Sequence, residues 1–155
     1  MIGETIRTEF EALKNDFETI RQQIEDDVVR TELYKGEFYE LTPYSYQRNG
    51  CKQGKPVKRP DTIKGTKNLC IYGFNNQNQI VEVKVGCSIE NQFYHTFLYY
   101  TDDLVKSILY DNGKHLMNVC HYFFEGGRTA SFLQIGNAVP PLMASAIAKK
   151  LKEQL

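Results

Sequence analysis

From Ile6 to Val28 the apolar positions Ile6, Phe10, Leu13, Phe17, Ile20, Ile24 and Val28 fall at intervals of 4, 3, 4, 3, 4 and 4 residues. This rhythm predicts one long helix over residues 3 to about 33, with its apolar side drawn into a narrow stripe. Acids outnumber bases between those positions, with Glu9, Glu18, Glu25 and Asp26 among them. Two uses of the stripe follow. It can form a seam with a partner helix, giving self-association or docking on a partner subunit, or it can pack onto a sheet of the same chain.

After Tyr34 the alternation shortens to two. Glu37–Leu41 and Tyr44–Tyr46 read as strands, with Pro43 at an edge or bend. Three further units repeat one plan of aromatic strand, polar turn and second strand. Ile71–Phe74 leads through Asn75–Gln79 into Ile80–Val85, and Phe97–Tyr100 leads through Thr101–Asp103 into Leu104–Tyr110. His121–Phe124 leads through Glu125–Gly127 into Arg128–Phe132. The units begin 26 and 24 residues apart, which predicts an antiparallel meander of about six to eight strands. Their spacing is faintly similar to the tyrosine-rich repeats of large bacterial secreted toxins and the small sheet proteins that accompany them.

The chain ends on a loop, Gln134 to Pro141, followed by Val139, Leu142, Met143, Ala146, Ile147 and Leu151 at helical spacing. Gly136 gives the loop freedom, Asn137 can cap the helix, and Pro140 and Pro141 suit a first turn that needs no N–H from them. The fold class expected is therefore α+β: a coiled-coil-like helical arm over 1–33, an antiparallel β domain over 34–133, and a loop with a short helix over 134–155.

Charge changes the picture in one place. The 155 residues balance at zero net charge, yet the loop 47–69 carries Arg48, Lys52, Lys55, Lys58, Arg59, Lys64 and Lys67 against Asp61 alone. Set beside the acidic first helix, this mobile basic loop points to contact with a polyanion. Lysine and arginine at loose spacing suit DNA phosphates and carry no sequence preference. A solvated surface loop is the other reading. Four isolated cysteines without metal-like pairing suggest reduced core residues and a cytoplasmic protein, and no apolar run is long enough to span a bilayer. His95, His115 and His121 are scattered; His95 and His121 read as hydrogen-bonded residues of the sheet and mark no metal site. Asp102–Asp103 reads as a turn-stabilising pair.

The run Gln134-Ile135-Gly136-Asn137-Ala138-Val139-Pro140-Pro141, with the lead-in Phe124 to Ser131, resembles motif X of the DNA cytosine-5 methyltransferases. The resemblance covers residues 124–151. It implies that Gly136, Asn137, Ala138 and Val139 lie beside the methionine end of S-adenosylmethionine. The rest of that family's machinery has no counterpart: Cys51, Cys70, Cys87 and Cys120 follow Gly50, Leu69, Gly86 and Val119, so the Pro-Cys nucleophile is missing, as is a glycine-rich cofactor loop. The expected protein has no catalytic residue and no metal, and is not active alone. It is the small piece of a split cytosine-5 methyltransferase, binding S-adenosylmethionine only with a catalytic subunit and contacting DNA. The alternative is a non-enzymatic sheet-type interaction protein, immunity-like or an adaptor, with a relic methyltransferase end.

Overall fold

The computed structural model describes residues 2–39, 50, 52–101 and 104–123. Two helices, α1 (Ile2–Leu13) and α2 (Phe17–Asp27), precede seven strands: β1 (Arg30–Lys35), β2 (Lys55–Pro56), β3 (Leu69–Phe74), β4 (Ile80–Gly86), β5 (Phe93–Tyr100), β6 (Leu104–Tyr110) and β7 (Leu116–Phe123). They form one sheet in the order β2-β1-β3-β4-β5-β6-β7, and every neighbouring pair is antiparallel.

The expected single helix is two. It breaks at Lys14-Asn15-Asp16, where Asp16 N–H donates to Leu13 C=O at 3.1 Å and Asp16 C=O starts the next helix by accepting from Ile20 N–H at 3.0 Å. Asparagine and aspartate offer the backbone local alternatives to helical bonding, which is why a break falls there although the apolar rhythm runs on. The second helix also ends early. Val28 is extended, and the stretch Val28 to Thr31, with three β-branched residues, opens β1.

Phe17, Ile20 and Ile24 are each 5% exposed or less and pack with Val81, Phe97, Ile108, Tyr110 and Val119 of the chain's own sheet. Burying each such side chain is worth about 1.5–3 kcal/mol, so the stripe of α2 is committed to internal packing. Gly73 permits the approach: a Cβ there would stand 2.9 Å from Val28 Cγ2. Ion pairs and a hydrogen bond to His121 rim the helix layer. Glu9 on α1 meets Lys106 at 2.8 Å and His121 at 2.6 Å, while Glu25 on α2 meets Lys84 at 3.1 Å and Arg21 at 2.7 Å.

On the opposite face a second cluster gathers Tyr34, Cys70, Tyr72, Phe74, Ile80, Val83, Leu98 and Val105, with Phe38 and Tyr39 packed against it. The rings of Tyr34 and Phe38 stack at 4.2 Å, and Tyr39 meets Tyr72 edge-on at 5.0 Å. Residues 37–39 are not a strand, as the sequence had implied; they fold back over this face, with Phe38 N–H donating to Tyr72 Oη at 3.1 Å. The expected strand at Tyr44–Tyr46 lies outside the described residues.

The meander itself is as the alternation predicts. The third unit's first strand is the end of β7, at His121–Phe123, and β7 pairs back with β6 through a turn at Asp111–His115. The Asp111 carboxylate accepts from Gly113 N–H and His115 N–H, both at 2.8 Å, and Lys114 takes the left-handed conformation, with φ 68°. The turns at 102–103 and 125–127, the strand at 128–132 and the loop and helix at 134–155 lie outside the described residues. Among those described, no helix is long and apolar enough to cross a membrane.

Candidate functional site

The basic loop is the part of the candidate chemistry that the structure describes. Lys52, Lys55, Lys58, Arg59, Lys64 and Lys67 are all exposed, whereas Arg48 lies outside the described residues. The segment is tied to the sheet rather than hanging from it. Lys55 and Pro56 form β2 opposite Lys35 and Tyr34, and Val57 N–H donates to Leu33 C=O at 2.9 Å. Pro60–Thr62 makes a short 3-10 turn.

Glycine decides how closely this segment lies. Gly54 N–H donates to Glu37 C=O at 2.6 Å, and a Cβ on Gly54 would stand 2.2 Å from the Gly36 oxygen. Gly36 has φ +87° and donates to Asn68 C=O at 2.7 Å. Any side chain at position 54 would push the two backbones apart. The same closeness recurs at Gly86, where a Cβ would meet Thr66 C=O at 1.8 Å.

Between this seam and the sheet lies a cavity of about 590 Å³, lined by Lys35, Gly36, Glu37, Lys52, Asn68, Cys70, Tyr72, Val83, Val85 and Thr96. Cys70, Tyr72 and Val83 are its floor and are at most 2% exposed. The surface open to a ligand therefore belongs to Lys35, Glu37, Lys52, Asn68, Val85 and Thr96. Among the described lining residues Lys35 and Lys52 outnumber the one acid, Glu37, and Lys55 and Lys67 stand close by: Lys55 pairs with Lys35 in register, and Lys67 C=O accepts from Lys35 Nζ at 2.5 Å.

The floor is chemically quiet. Burial, with Glu37 adding to it, pushes the Cys70 thiol up to about 11, so it is not a ready thiolate. Burial likewise raises Tyr72 above the ordinary tyrosine range. Next to the cavity, Glu32 accepts from Tyr34 Oη at 2.9 Å and Tyr39 Oη at 2.8 Å and is paired with Arg30. Burial works against its charge, but these hydroxyls and the guanidinium outweigh it and hold its carboxyl below the usual carboxylate range.

The histidines divide. Burial, reinforced by Lys84 and Arg21, lowers His95 to about 4; its ring meets Phe17 edge-on at 5.0 Å, and its Nδ1 has no hydrogen-bond partner among the described residues. His121 is bonded to Glu9, and His115 to Asp111 at 3.1 Å. Among the described residues no group of three or more His, Cys, Asp or Glu could hold a metal.

Gly136, Asn137, Ala138 and Val139 lie outside the described residues. Of the predicted DNA-contacting set, Lys52 is brought to the cavity, with Lys55 and Lys67 near it. Lys35, Asn68, Val85 and Thr96 were not anticipated. Their signal was weak: the glycines at 36 and 54 flank the basic run without announcing that they touch.

A stretch of 33 residues, 21% of this chain, is 58% identical to the type II methyltransferase M.Bpa9945I of Bacillus paralicheniformis, of which it makes up 7%. No family model matches the chain. No solved structure matches it with significance. The chain thus carries a methyltransferase-like segment on a small α+β protein whose sheet is an antiparallel meander.

Proposed function

We propose that this chain is a non-catalytic piece of a split DNA cytosine-5 methyltransferase of a restriction-modification type, acting with a catalytic polypeptide that supplies the nucleophile and most of the cofactor site. The observation that carries this reading is the 58% identity over 33 residues to a type II methyltransferase, a length that suits the motif-X-like run at 124–151. In it, Gly136, Asn137, Ala138 and Val139 complete the edge of the partner's S-adenosylmethionine pocket. Arg48, Lys52, Lys55, Lys58, Arg59, Lys64 and Lys67 contact DNA phosphates. Residues 3–33 contribute to the subunit contact, or to self-association, only through their outward side, because Phe17, Ile20 and Ile24 already face the sheet.

Co-expression with a catalytic methyltransferase polypeptide that stops before motif X tests the reading. Methylation of plasmid DNA, read by protection from a cognate restriction enzyme, is expected only when both are present, and Asn137→Ala should reduce it at least tenfold. Co-purification without methylation would sink the proposal. It would favour the alternative, an interaction protein with a relic end, which draws support from a sheet with a core on both faces and from the small share of the relative that is matched.

A further inference from the structure

We propose that the cavity between β1, β3, β4, β5 and the Gly54 seam is a binding site for a single nucleotide unit. Its phosphate is held by Lys35 and Lys52, and its ring lies against Val85 and Thr96. The inference deepens the DNA-contact half of the reading above and rests on that half, but requires no catalytic partner.

Size is the first argument. A volume of about 590 Å³ lies within the range of roughly 300–1,000 Å³ common to small-ligand sites. Rigidity is the second. The rim is fixed by Gly36 N–H to Asn68 C=O, Gly54 N–H to Glu37 C=O and Asn68 N–H to Gly86 C=O, at 2.7, 2.6 and 3.0 Å. Asn68 itself stands in the left-handed conformation, at φ 59°. A rim built from backbone bonds does not have to be ordered when the ligand arrives.

Chemistry is the third argument. Two of the three charged side chains in the described lining are lysines, Lys55 and Lys67 add to the positive field nearby, and ammonium groups bind phosphate as point charges. Behind them Val85 is 36% exposed, an apolar surface beside the hydroxyl of Thr96 and the amide of Asn68. A cationic mouth with an apolar and amide-bearing wall fits a phosphate joined to a heterocycle better than it fits either alone. Glu37, the one acid of the described lining, disfavours ligands of concentrated negative charge such as inorganic phosphate and suits a ring with N–H donors.

The ligand could be a free nucleotide or one unit of a strand, and the experiment separates these. The full chain is titrated into fluorescein-labelled 12-nucleotide single-stranded DNA, and into the matching duplex, at low salt, with anisotropy as the readout. Nucleoside monophosphate and inorganic phosphate are used as competitors. The proposal expects single-stranded binding that the monophosphate competes for and inorganic phosphate does not. Lys35→Gln/Lys52→Gln and, separately, Val85→Trp should each weaken it at least tenfold, while Met117→Trp, an exposed site on β7, changes it less than twofold. Saturable binding of the monophosphate alone, with none of the strand, would assign the site to a free nucleotide and keep the cavity proposal. It is overturned if the lysine pair lowers affinity but Val85→Trp, shown folded by circular dichroism, does not, since contact would then be with phosphate only. Absence of binding by either nucleic acid or monophosphate also overturns it. Neither result decides whether methylation is restored by a catalytic partner, so the two proposals fail separately.

Discussion

The two faces of the sheet are closed by different means. One carries α1 and α2, with Phe17, Ile20 and Ile24 driven into an apolar layer, ion pairs to Lys84 and Lys106 around it and a hydrogen bond between Glu9 and His121. The other is closed in part by rings: Phe38 stacks on Tyr34, Tyr39 meets Tyr34, Tyr72 and Phe74 edge to face, and the cluster delivers two hydroxyls to Glu32. The helices close their face with an apolar layer, and a cavity of about 390 Å³ remains at the end of α2 beside Ile24 and Val81. A ring cluster fed by a glycine-rich segment leaves space beside it, and the cavity with its lysines lies on that face. The contrast teaches that both faces carry a buried core, while the lysine-lined cavity lies on the ring-covered one.

The sharpest way to break this contrast is to truncate the helix layer. Phe17→Ala removes a ring that is 4% exposed and meets His95, Phe97 and Tyr110, and should cost about 3–5 kcal/mol in urea denaturation. A loss below about 1 kcal/mol would mean that α2 does not close the core.

Next in size is the response to acid. His95 has its folded pKa lowered to about 4, below the ordinary 6.5, so between these values the unfolded chain binds the extra proton. Its contribution is complete above pH 6.5 and is lost as pH falls toward 4. The groups facing it are Lys84, Arg21, Glu25 and Lys114, together with the ring of Phe17. Discounted for partial exposure, the loss should be on the order of 2 kcal/mol. His95→Leu should flatten the stability curve between pH 6.5 and 4. An unchanged slope would exclude His95 as its source.

On the ring-covered face, Glu32→Ala leaves the hydroxyls of Tyr34 and Tyr39 without their shared acceptor. With Glu32 partly exposed, the cost should be about 1–2 kcal/mol, read from thermal unfolding. The same change should disturb nucleotide binding more than Phe17→Ala does at temperatures where both are folded, because only it lies on the cavity's side.

The smallest effect belongs to the helix rim at the surface. Glu18→Gln removes a pair to Lys114 in which both side chains are 58% exposed, and should leave the unfolding midpoint where it is. A clear downward shift would show that the rim, and not the apolar layer, holds α2 in place.

Much of the sheet was legible because strands and turns use different residues. Ile80 to Val85 is β-branched at most positions, and Asn75 and Gln79 mark the turn before it, where Asn75 Nδ2 donates to Gln79 Oε1 at 3.0 Å. Asp111-Asn112-Gly113 carries an equally plain turn signal, which the repeat of aromatic strands does not register because it falls between the second unit and the third. The helix break was harder. Intervals of three and four continue across Asn15 unchanged, so periodicity alone cannot tell one helix from two that share a face. Of the candidate site, the cations were visible in composition, but the cavity was not. It depends on Gly54 lying against Gly36, a contact between backbones that no side-chain pattern records.

The bond between Glu9 and His121 joins residues 112 positions apart. At about 5–20 residues per second, α1 leaves the ribosome roughly 5 to 25 s before its anchor on β7 exists. Through that interval the stripe of Phe10, Phe17, Ile20 and Ile24 has no finished sheet to lie on. The helices are thus made before the strands they cover, and their apolar stripe waits for β7 to be covered in full.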